Sequence, residues 1–196
     1  MRLHDAHLHL QDPRLQKALQ EAEVKGTPPL AGSFETAPIA VRLTNGTSPD
    51  DWEAVARLVA TPAGGTRLLA AYGVHPWKVD QLPADWEAQL RKHLAGGAAS
   101  VGEIGLDHWI EPRDERLQVE VLEKQLALSR EFALPPTLHC LRAWGLLIDI
   151  LQAAGLPGQG FLVHGFGGSR EVLFQLLDLG GYVSFSAYAA DPRRRR

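Results

Sequence analysis

The chain has 196 residues, of which 45% are apolar and 22% are charged, and its formal net charge is −3. This composition is typical of a globular protein with one sizeable core, and the slight negative charge excludes a chain-wide basic field that would attract nucleic acid. The single cysteine, Cys140, excludes an intramolecular disulfide and favours a reducing compartment. Because no apolar run approaches the roughly 20 residues of a membrane span, we expect a cytoplasmic protein with no membrane partner.

Short apolar runs alternate with segments of helical periodicity along the chain. The predicted strands cover residues 3–9, 38–43, 68–74, 100–104, 136–138, 160–163 and 182–185. The predicted helices cover residues 13–24, 85–94, 113–134, 146–153 and 170–179, and a further helix begins at Pro49 after the capping residue Ser48. This alternation without an internal linker predicts one parallel α/β domain over residues 1–196. No Gly-x-Gly-x-x-Gly turn follows the first strand, which disfavours a nucleotide-binding open sheet.

Side chains able to bind a metal stand at the ends of five predicted strands. On the first strand Asp5, His7 and His9 share one face, because side chains alternate along an extended chain. The other four strands close at His75, Glu103, His139 and His164. A lone His-x-His pair is about as often a polar strand edge as a ligand pair. Five such strand ends, however, predict a functional site, because the C-terminal ends of the strands form the site in a parallel barrel.

The last residues carry a helix-start signal, since Asp191 is a capping residue and Pro192 suits the first helical position. Four arginines, 193–196, follow and are best interpreted as the first solvated turn of a helix, with a nucleic-acid-binding tail as the alternative. A closed barrel has eight strands and about 250 residues. We therefore expect that this domain lacks its C-terminal strand and helices, and that the 196-residue chain is a poor catalyst.

In order and spacing, the motifs resemble those of the TatD family of metal-dependent hydrolases over nearly the whole chain. The matching pieces are DAHLHL (5–10), GVHPW (73–77), GEIGLD (102–107), Gln118, the pair Gln125-Leu126, LHC (138–140) and VHGFGGS (163–169). The resemblance implies a TIM-type (β/α) barrel, of which about seven strands are present here. It also implies a deoxyribonuclease of the 3′–5′ exonuclease type, with DNA or another phosphodiester as substrate. The implied metal ligands, for one or two divalent ions, are His7, His9, Glu103, His139 and His164.

Glu103 is the one anionic ligand in this set and can bridge two cations, so we assign it the central catalytic role. Mixed imidazole and carboxylate ligands suit Zn, Mn, Ni or Fe, whereas all-oxygen sites suit Mg better. Trp77 and Trp109, in loops at the mouth of the barrel, are candidates to stack on a base.

Four further residues are predicted to contact substrate or to hold the ligands in place. His75 contacts phosphate, orients a ligand or is purely structural, and Asp107 either fixes the tautomer of a ligand histidine or caps the next helix. Asp5 shares the face of the two first-strand histidines. Leu141 stands where many members of the family have arginine, which makes Arg142 the candidate replacement. The Glu-Thr-Asp motif of the family's last strand has no counterpart in this chain.

Two other functions stay open at this stage. The same site can cleave an amide, ester or lactone, because related metal barrels use the same ligand types and a fold does not fix the substrate. A lysine on the fourth strand would have favoured that branch, but Glu103 stands there. The other alternative is an incomplete barrel that binds metal without catalysis. The sequence leaves open the identity of the metal and the oligomeric state.

Overall fold

The computed structural model describes residues 3–24, 39–61, 66–156 and 158–186, in which strands and helices alternate. The strands are β1 (Leu3–Leu8), β2 (Ile39–Asn45), β3 (Arg67–Tyr72), β4 (Ser100–Asp107), β5 (Pro136–Leu141), β6 (Phe161–Val163) and β7 (Gly181–Val183). The helices are α1 (Pro13–Val24), α2 (Pro49–Ala60), α3 (Trp86–Ala95), α4 (Glu115–Glu131), α5 (Trp144–Ala154) and α6 (Arg170–Asp178). A short 3-10 helix, Pro76–Gln81, follows β3.

The seven strands form one sheet in which every described pairing is parallel and the spatial order is the chain order, β1 to β7. A sheet built in this order from successive β-α units is that of a (β/α) barrel, in which all C-terminal strand ends lie at one face. The predicted α/β architecture and the number of strands are therefore confirmed.

The core lies along the middle of the sheet. Every residue of β4 is buried, as expected for a parallel strand that is covered on both faces. Trp52 of α2 is also fully buried, and its Nε1 donates a hydrogen bond to the carbonyl of Gly73 at 3.1 Å. This bond fixes the segment that follows β3, which leads directly into the site.

The helix starts agree closely with the sequence signals. Ser48 is the N-cap of α2, Pro49 is its first residue, and the carboxylate of Asp51 accepts a hydrogen bond from the Ser48 backbone at 3.3 Å. Helix α4 ends at Glu131, three residues earlier than predicted. Ala133, with a φ of 50°, lies in the left-handed region, so the chain leaves the helix before the proline pair that the prediction used as its stop.

Two strands are longer than predicted, and this changes the position of the site residues. β4 continues to Asp107 and β5 to Leu141, so Glu103 and His139 lie inside their strands rather than at the last residue. The predicted strands 100–104 and 136–138 stopped beside these polar residues. They were too short because polar side chains such as Glu103 and Asp107 are buried within the strand. The 3-10 helix Pro76–Gln81 was not predicted.

Gly105 explains how β4 and β5 come so close together. Its φ is 147°, and a Cβ atom at this position would lie 1.9 Å from the carbonyl oxygen of His139. Only glycine fits both the backbone conformation and the space. The close approach places His139 beside Glu103 at the centre of the sheet.

The edge strands flank a separate cleft of about 450 Å³, lined by residues of β1 and by Ser184 and Phe185 after β7. The predicted helix start at Asp191-Pro192 and the arginines after it lie outside the described residues. Across the described ranges, no helix is long and apolar enough to cross a membrane.

Candidate metal centre

A single buried carboxylate, that of Glu103, stands at the centre of the site and is 2% exposed. One of its oxygens, Oε2, faces two histidines, His7 of β1 and His9, which directly follows β1. His7 Nε2 lies 3.3 Å from Oε2, and His9 Nε2 lies 3.0 Å from it. The two rings lie edge to face, with centroids 5.0 Å apart. The first half of the site therefore joins β1 to β4.

The other oxygen of Glu103, Oε1, faces three further rings. His75 Nε2 lies 3.4 Å from Oε1, and His139 Nδ1 lies 3.2 Å from it. His164, which follows β6, makes a short hydrogen bond to Oε1 through its Nε2. The structure thus brings together all five predicted ligands, and it places His75 beside them.

Two buried glutamines of α4 hold the strand ends that carry the site. The Gln125 carboxamide accepts a hydrogen bond from the backbone N of Val74 at 2.6 Å and donates to the carbonyl of the same residue at 3.2 Å. The Gln118 carboxamide makes the same pair of bonds with Asp107, at 2.9 and 3.1 Å. Both glutamines match the family pattern in the sequence, which gave them no role. The structure shows that they clamp the backbone of the segments that position His75 and Asp107.

In His9 and His139 the outer nitrogen, which points away from Glu103, makes a hydrogen bond. That bond shows that the inner nitrogen, which faces Glu103, has a free lone pair. His9 Nδ1 lies 2.8 Å from the carbonyl oxygen of Asn45, which can only accept, so Nδ1 carries the proton. His139 Nε2 lies 2.9 Å from a carboxylate oxygen of Asp107, so there Nε2 carries the proton. In both rings the unprotonated nitrogen faces Glu103. This is the arrangement of a metal-binding histidine whose other nitrogen donates to a carbonyl or carboxylate.

Asp107 is fully buried and links His139 to the rim of the site. Its Oδ2 receives hydrogen bonds from His139 Nε2 and from Trp77 Nε1 at 2.7 Å. Its Oδ1 accepts from the backbone N of Trp109 at 2.7 Å and of Ile110 at 3.1 Å. Burial alone would raise the pKa of this carboxyl, but these hydrogen bonds, with that from His139 first, lower it. These contacts are compatible with the predicted control of the His139 tautomer. The alternative, that Asp107 caps the next helix, is wrong, because the N-cap of α4 is Asp114.

The surroundings favour a charged carboxylate at Glu103 and neutral rings at His7 and His75. Burial opposes the charge on Glu103, but contact with the surrounding histidines, with that of His139 the largest, holds the pKa of this carboxyl well below its usual range. Burial lowers the pKa of His7 and of His75. Burial acts in the same direction on His9 and His139, but contact with Glu103 outweighs it and raises their pKa.

His7 indicates that these residues fit a cation. Both of its ring nitrogens are buried, and neither makes a hydrogen bond to a described residue, although Nε2 lies within ion-pair distance of Glu103. A buried polar atom without a partner is costly, and a metal ion would satisfy it. Two triads offer nitrogen and oxygen atoms that lie within 4.8 Å of one another. One triad is His7, Glu103 and His164, and the other is His75, Glu103 and His139. Such mixed donors suit Zn, Mn, Ni or Fe.

The other predicted residues are placed differently. Asp5 accepts a hydrogen bond from the backbone N of His7 at 3.3 Å, and its side chain lines the separate cleft between β1 and β7. Arg142 follows β5 in the left-handed region, with a φ of 57°, and its guanidinium lies 3.9 Å from the ring centroid of Trp109. Arg142 therefore stacks on an indole that is 61% exposed, and its contact with phosphate stays a prediction.

The site opens into a cleft of about 670 Å³. Its floor includes Glu103, and its rim includes Trp77 and Lys78 of the 3-10 helix. A polar network in the wall of this cleft was not predicted. Gln11 donates to the carbonyl of Asn45 at 2.7 Å and to the carboxylate of Asp51 at 3.0 Å. The oxygen that orients His9 belongs to the backbone of Asn45. Every residue type has this oxygen, so the sequence gave no signal for the contact.

Comparison with known proteins agrees with this geometry. A family model described as TatD related DNase matches residues 4–196. The uncharacterized metal-dependent hydrolase YabD of Bacillus subtilis is 35% identical over 123 residues, which cover 60% of this chain and 47% of that protein. The 3′-5′ ssDNA/RNA exonuclease TatD of Edwardsiella piscicida is 34% identical over 128 residues, which cover 64% of this chain and 48% of that protein.

A solved structure gives the same result for the fold. The TatD homologue YjjV of Escherichia coli K12 superposes with a TM-score of 0.81 at 26% identity, covering 98% of this chain and 71% of that one. This confirms the barrel prediction. The chain spans about half the length of the curated relatives it matches. The family match over nearly all residues, together with the histidines gathered around Glu103, shows that the chain belongs to the TatD family of metal-dependent hydrolases.

Proposed function

We propose that this chain is a divalent-metal-dependent phosphodiesterase that acts on DNA, as a deoxyribonuclease of the 3′–5′ exonuclease type. One observation carries the proposal. The two oxygens of the buried Glu103 face separate sets of imidazole nitrogens, His7 and His9 on one side and His139 and His164 on the other. A carboxylate in this position fits a bridge between two cations. The name of the E. piscicida relative, an ssDNA/RNA exonuclease, supports the substrate class.

A divalent cation in such a site supplies an acidified water and neutralises charge on the phosphoryl group. The residues of this chain supply the rest. Glu103 and the inward-facing nitrogens of His9 and His139 would hold the cations, and Asp107 keeps His139 in the tautomer that this requires. The outer carbonyl and carboxylate partners also fix the ring planes. The ligands are therefore ordered before a cation binds.

The rim of the cleft suits a nucleic-acid strand. Lys78 brings a positive charge to the entrance, although the chain as a whole is slightly acidic. The indole of Trp77 is 50% exposed and is anchored at its Nε1 by Asp107. An aromatic face held at a fixed angle can stack on any unpaired base. It therefore favours a single strand but does not select a particular sequence. We therefore propose an end of single-stranded DNA as the preferred substrate.

The proposal is tested with 5′-labelled single-stranded DNA, added manganese and three proteins: the wild type, Glu103→Gln and the matched surface variant Glu123→Gln. We expect shortening of the strand from the 3′ end by the wild type and by Glu123→Gln, and loss of the reaction with Glu103→Gln or with a chelator. Glutamine keeps the shape of the side chain but loses the charge that cations need. Equal hydrolysis by Glu103→Gln and the wild type would contradict the central role of Glu103.

A substrate panel separates this function from the amide and ester alternative. Bis(p-nitrophenyl) phosphate reports phosphodiester cleavage, and p-nitrophenyl acetate and a p-nitroanilide report the other two bonds. We expect metal-dependent cleavage of the phosphodiester alone. The single-domain boundary 1–196 and the cytoplasmic location stay predictions.

A further inference from the structure

His75 differs from the other rings of the site in the partner of its outer nitrogen. His75 is the N-cap of the 3-10 helix Pro76–Gln81, and its Nδ1 accepts a hydrogen bond from the backbone N of Trp77 at 3.2 Å. A peptide N–H can only donate, so Nδ1 holds a lone pair. A neutral imidazole carries one proton. In His75 that proton is therefore on Nε2, the nitrogen that faces the cleft.

In His75 the proton therefore lies on the nitrogen that faces Glu103, whereas in His9 and His139 it lies on the nitrogen that faces away from Glu103. In those two rings the outer nitrogen donates to a carbonyl or carboxylate oxygen, so the inner nitrogen is free to bind a cation. For His75 to bind a cation through Nε2, its Nδ1 would have to carry the proton. Two N–H groups, those of His75 and Trp77, would then face each other. Distance alone groups His75 with Glu103 and His139, but the hydrogen-bond partners argue against ligation.

The backbone around His75 leaves little freedom for the ring to turn over. The backbone N of His75 donates to the carbonyl of Thr47 at 2.8 Å, and its carbonyl accepts from the backbone N of Lys78 at 2.9 Å. The side chain is 8% exposed and packs edge to face against the indole of Trp77, with ring centroids 5.1 Å apart. These contacts fix the direction in which Nε2–H points.

The Nε2–H group is only loosely held by the protein. Its nearest carboxylate oxygen, Oε1 of Glu103, lies 3.4 Å away, beyond the usual range of about 2.7–3.2 Å for an N–H···O bond. The same oxygen is already bonded by His164. His75 also lines the substrate cleft beside Lys78. The N–H can therefore reach an acceptor that enters the cleft.

We propose that His75 is a substrate-binding residue rather than a metal ligand. It donates its Nε2–H to an anionic, non-bridging oxygen of the phosphoryl group held at the metal centre. The inference rests on the proposed function for its substrate class, but the assignment of the proton does not. A hydrogen bond to a charged acceptor is stronger than one between neutral groups, so this donor selects a phosphate oxygen over the neutral carbonyl of an amide.

The proton assignment is tested first in the unmodified protein. Long-range ¹H–¹⁵N correlation spectra of the metal-free chain at mildly alkaline pH separate protonated from unprotonated ring nitrogens. We expect His75 to carry its proton on Nε2 and His139 to carry its proton on the nitrogen that faces Asp107. A proton on Nδ1 of His75 would overturn the inference.

Metal content then separates a ligand from a donor. His75→Leu removes the donor at similar size, His75→Gln returns an N–H near the position of Nε2, and His139→Leu is the matched loss of a ligand. We expect the zinc content of both His75 variants to equal that of the wild type and that of His139→Leu to be lower. Circular dichroism confirms that each variant is folded. Loss of zinc by the His75 variants to the extent seen with His139→Leu would show that His75 is a ligand.

Inorganic phosphate binding to the zinc-loaded proteins, measured by calorimetry, tests the donor role without any turnover. We expect His75→Leu to bind phosphate about tenfold more weakly than the wild type, and His75→Gln to recover part of the loss. Equal affinity in the wild type and His75→Leu would refute the donor role. If the wild type binds phosphate through His75 but cleaves no DNA, the proposed function fails while the role of His75 stands.

Discussion

Replacement of Asp107 by asparagine should weaken metal binding although Asp107 itself touches no metal ligand except His139. The carboxylate uses Oδ1 for the backbone N–H groups of Trp109 and Ile110, and Oδ2 for Trp77 Nε1 and His139 Nε2. An asparagine must keep its single oxygen on the two backbone groups, so its NH₂ takes the place of Oδ2. That NH₂ donates to His139 Nε2 and moves the ring proton to Nδ1, the nitrogen needed for the cation.

The magnitude follows from the bonds that change. Loss of a group that orients a ligand histidine typically costs about 10- to 100-fold in metal affinity, or about 1.4–2.7 kcal/mol. The indole of Trp77 also loses a charged acceptor at 2.7 Å, and such bonds contribute about 1.5–3 kcal/mol. We therefore expect Asp107→Asn to bind zinc at least tenfold more weakly and to unfold at lower urea concentration than the wild type.

Zinc affinity is measured by competition with a chromophoric chelator, and stability by urea unfolding of the metal-free proteins. Asp114→Asn is the matched control, because Asp114 caps α4 by accepting a bond from Leu117 N at 2.9 Å and asparagine caps a helix equally well. Wild-type zinc affinity in Asp107→Asn would refute the argument that Asp107 sets the tautomer of His139.

Four further outcomes are expected. The double variant His7→Ala, His9→Ala should hold less zinc than the wild type by elemental analysis, and equal content would remove the β1 histidines from the ligand set. Zinc affinity should fall as the pH is lowered from about 8 to about 6, because protons compete for His9 and His139. Despite burial, contact with Glu103 raises the pKa of both rings above 6.5. A pH-independent affinity would contradict this. Gly105→Ala should lower the urea midpoint clearly, since its Cβ would meet the His139 carbonyl at 1.9 Å, and an unchanged midpoint would show that β4 and β5 are not so close. Cys140, whose pKa burial raises to about 12, should react with a thiol reagent only after unfolding, whereas rapid labelling of the native chain would show an open barrel wall.

The sequence was sufficient to predict which side chains lie together around Glu103, because their spacing follows simple geometry. Alternation along β1 places His7 and His9 on one face, and parallel strand order places the other ligand residues at the same end of the sheet. The helix start at Ser48-Pro49 could be predicted for a similar reason, since capping depends on neighbouring residues alone.

What the sequence could not show depends on long-range contacts. The lengths of β4 and β5 were underestimated, because a polar residue such as Glu103 is compatible with a strand interior only when histidines from other strands surround it. The orientation of His9 depends on the backbone carbonyl of Asn45, which every residue type offers. The tautomer of His75 depends on the 3-10 turn that begins at Pro76, a local structure that the apolar pattern did not indicate.

Our central proposal is that Glu103 would hold two cations, because its two oxygens face different histidine nitrogens. Electron paramagnetic resonance of the manganese-loaded protein tests this most directly, because two manganese ions joined by a carboxylate give an exchange-coupled spectrum and separate ions do not. We expect a coupled pair in the wild type and in the surface control Glu123→Gln, and the loss of coupling in Glu103→Gln. A spectrum of isolated manganese ions in the fully loaded wild type would contradict the claim.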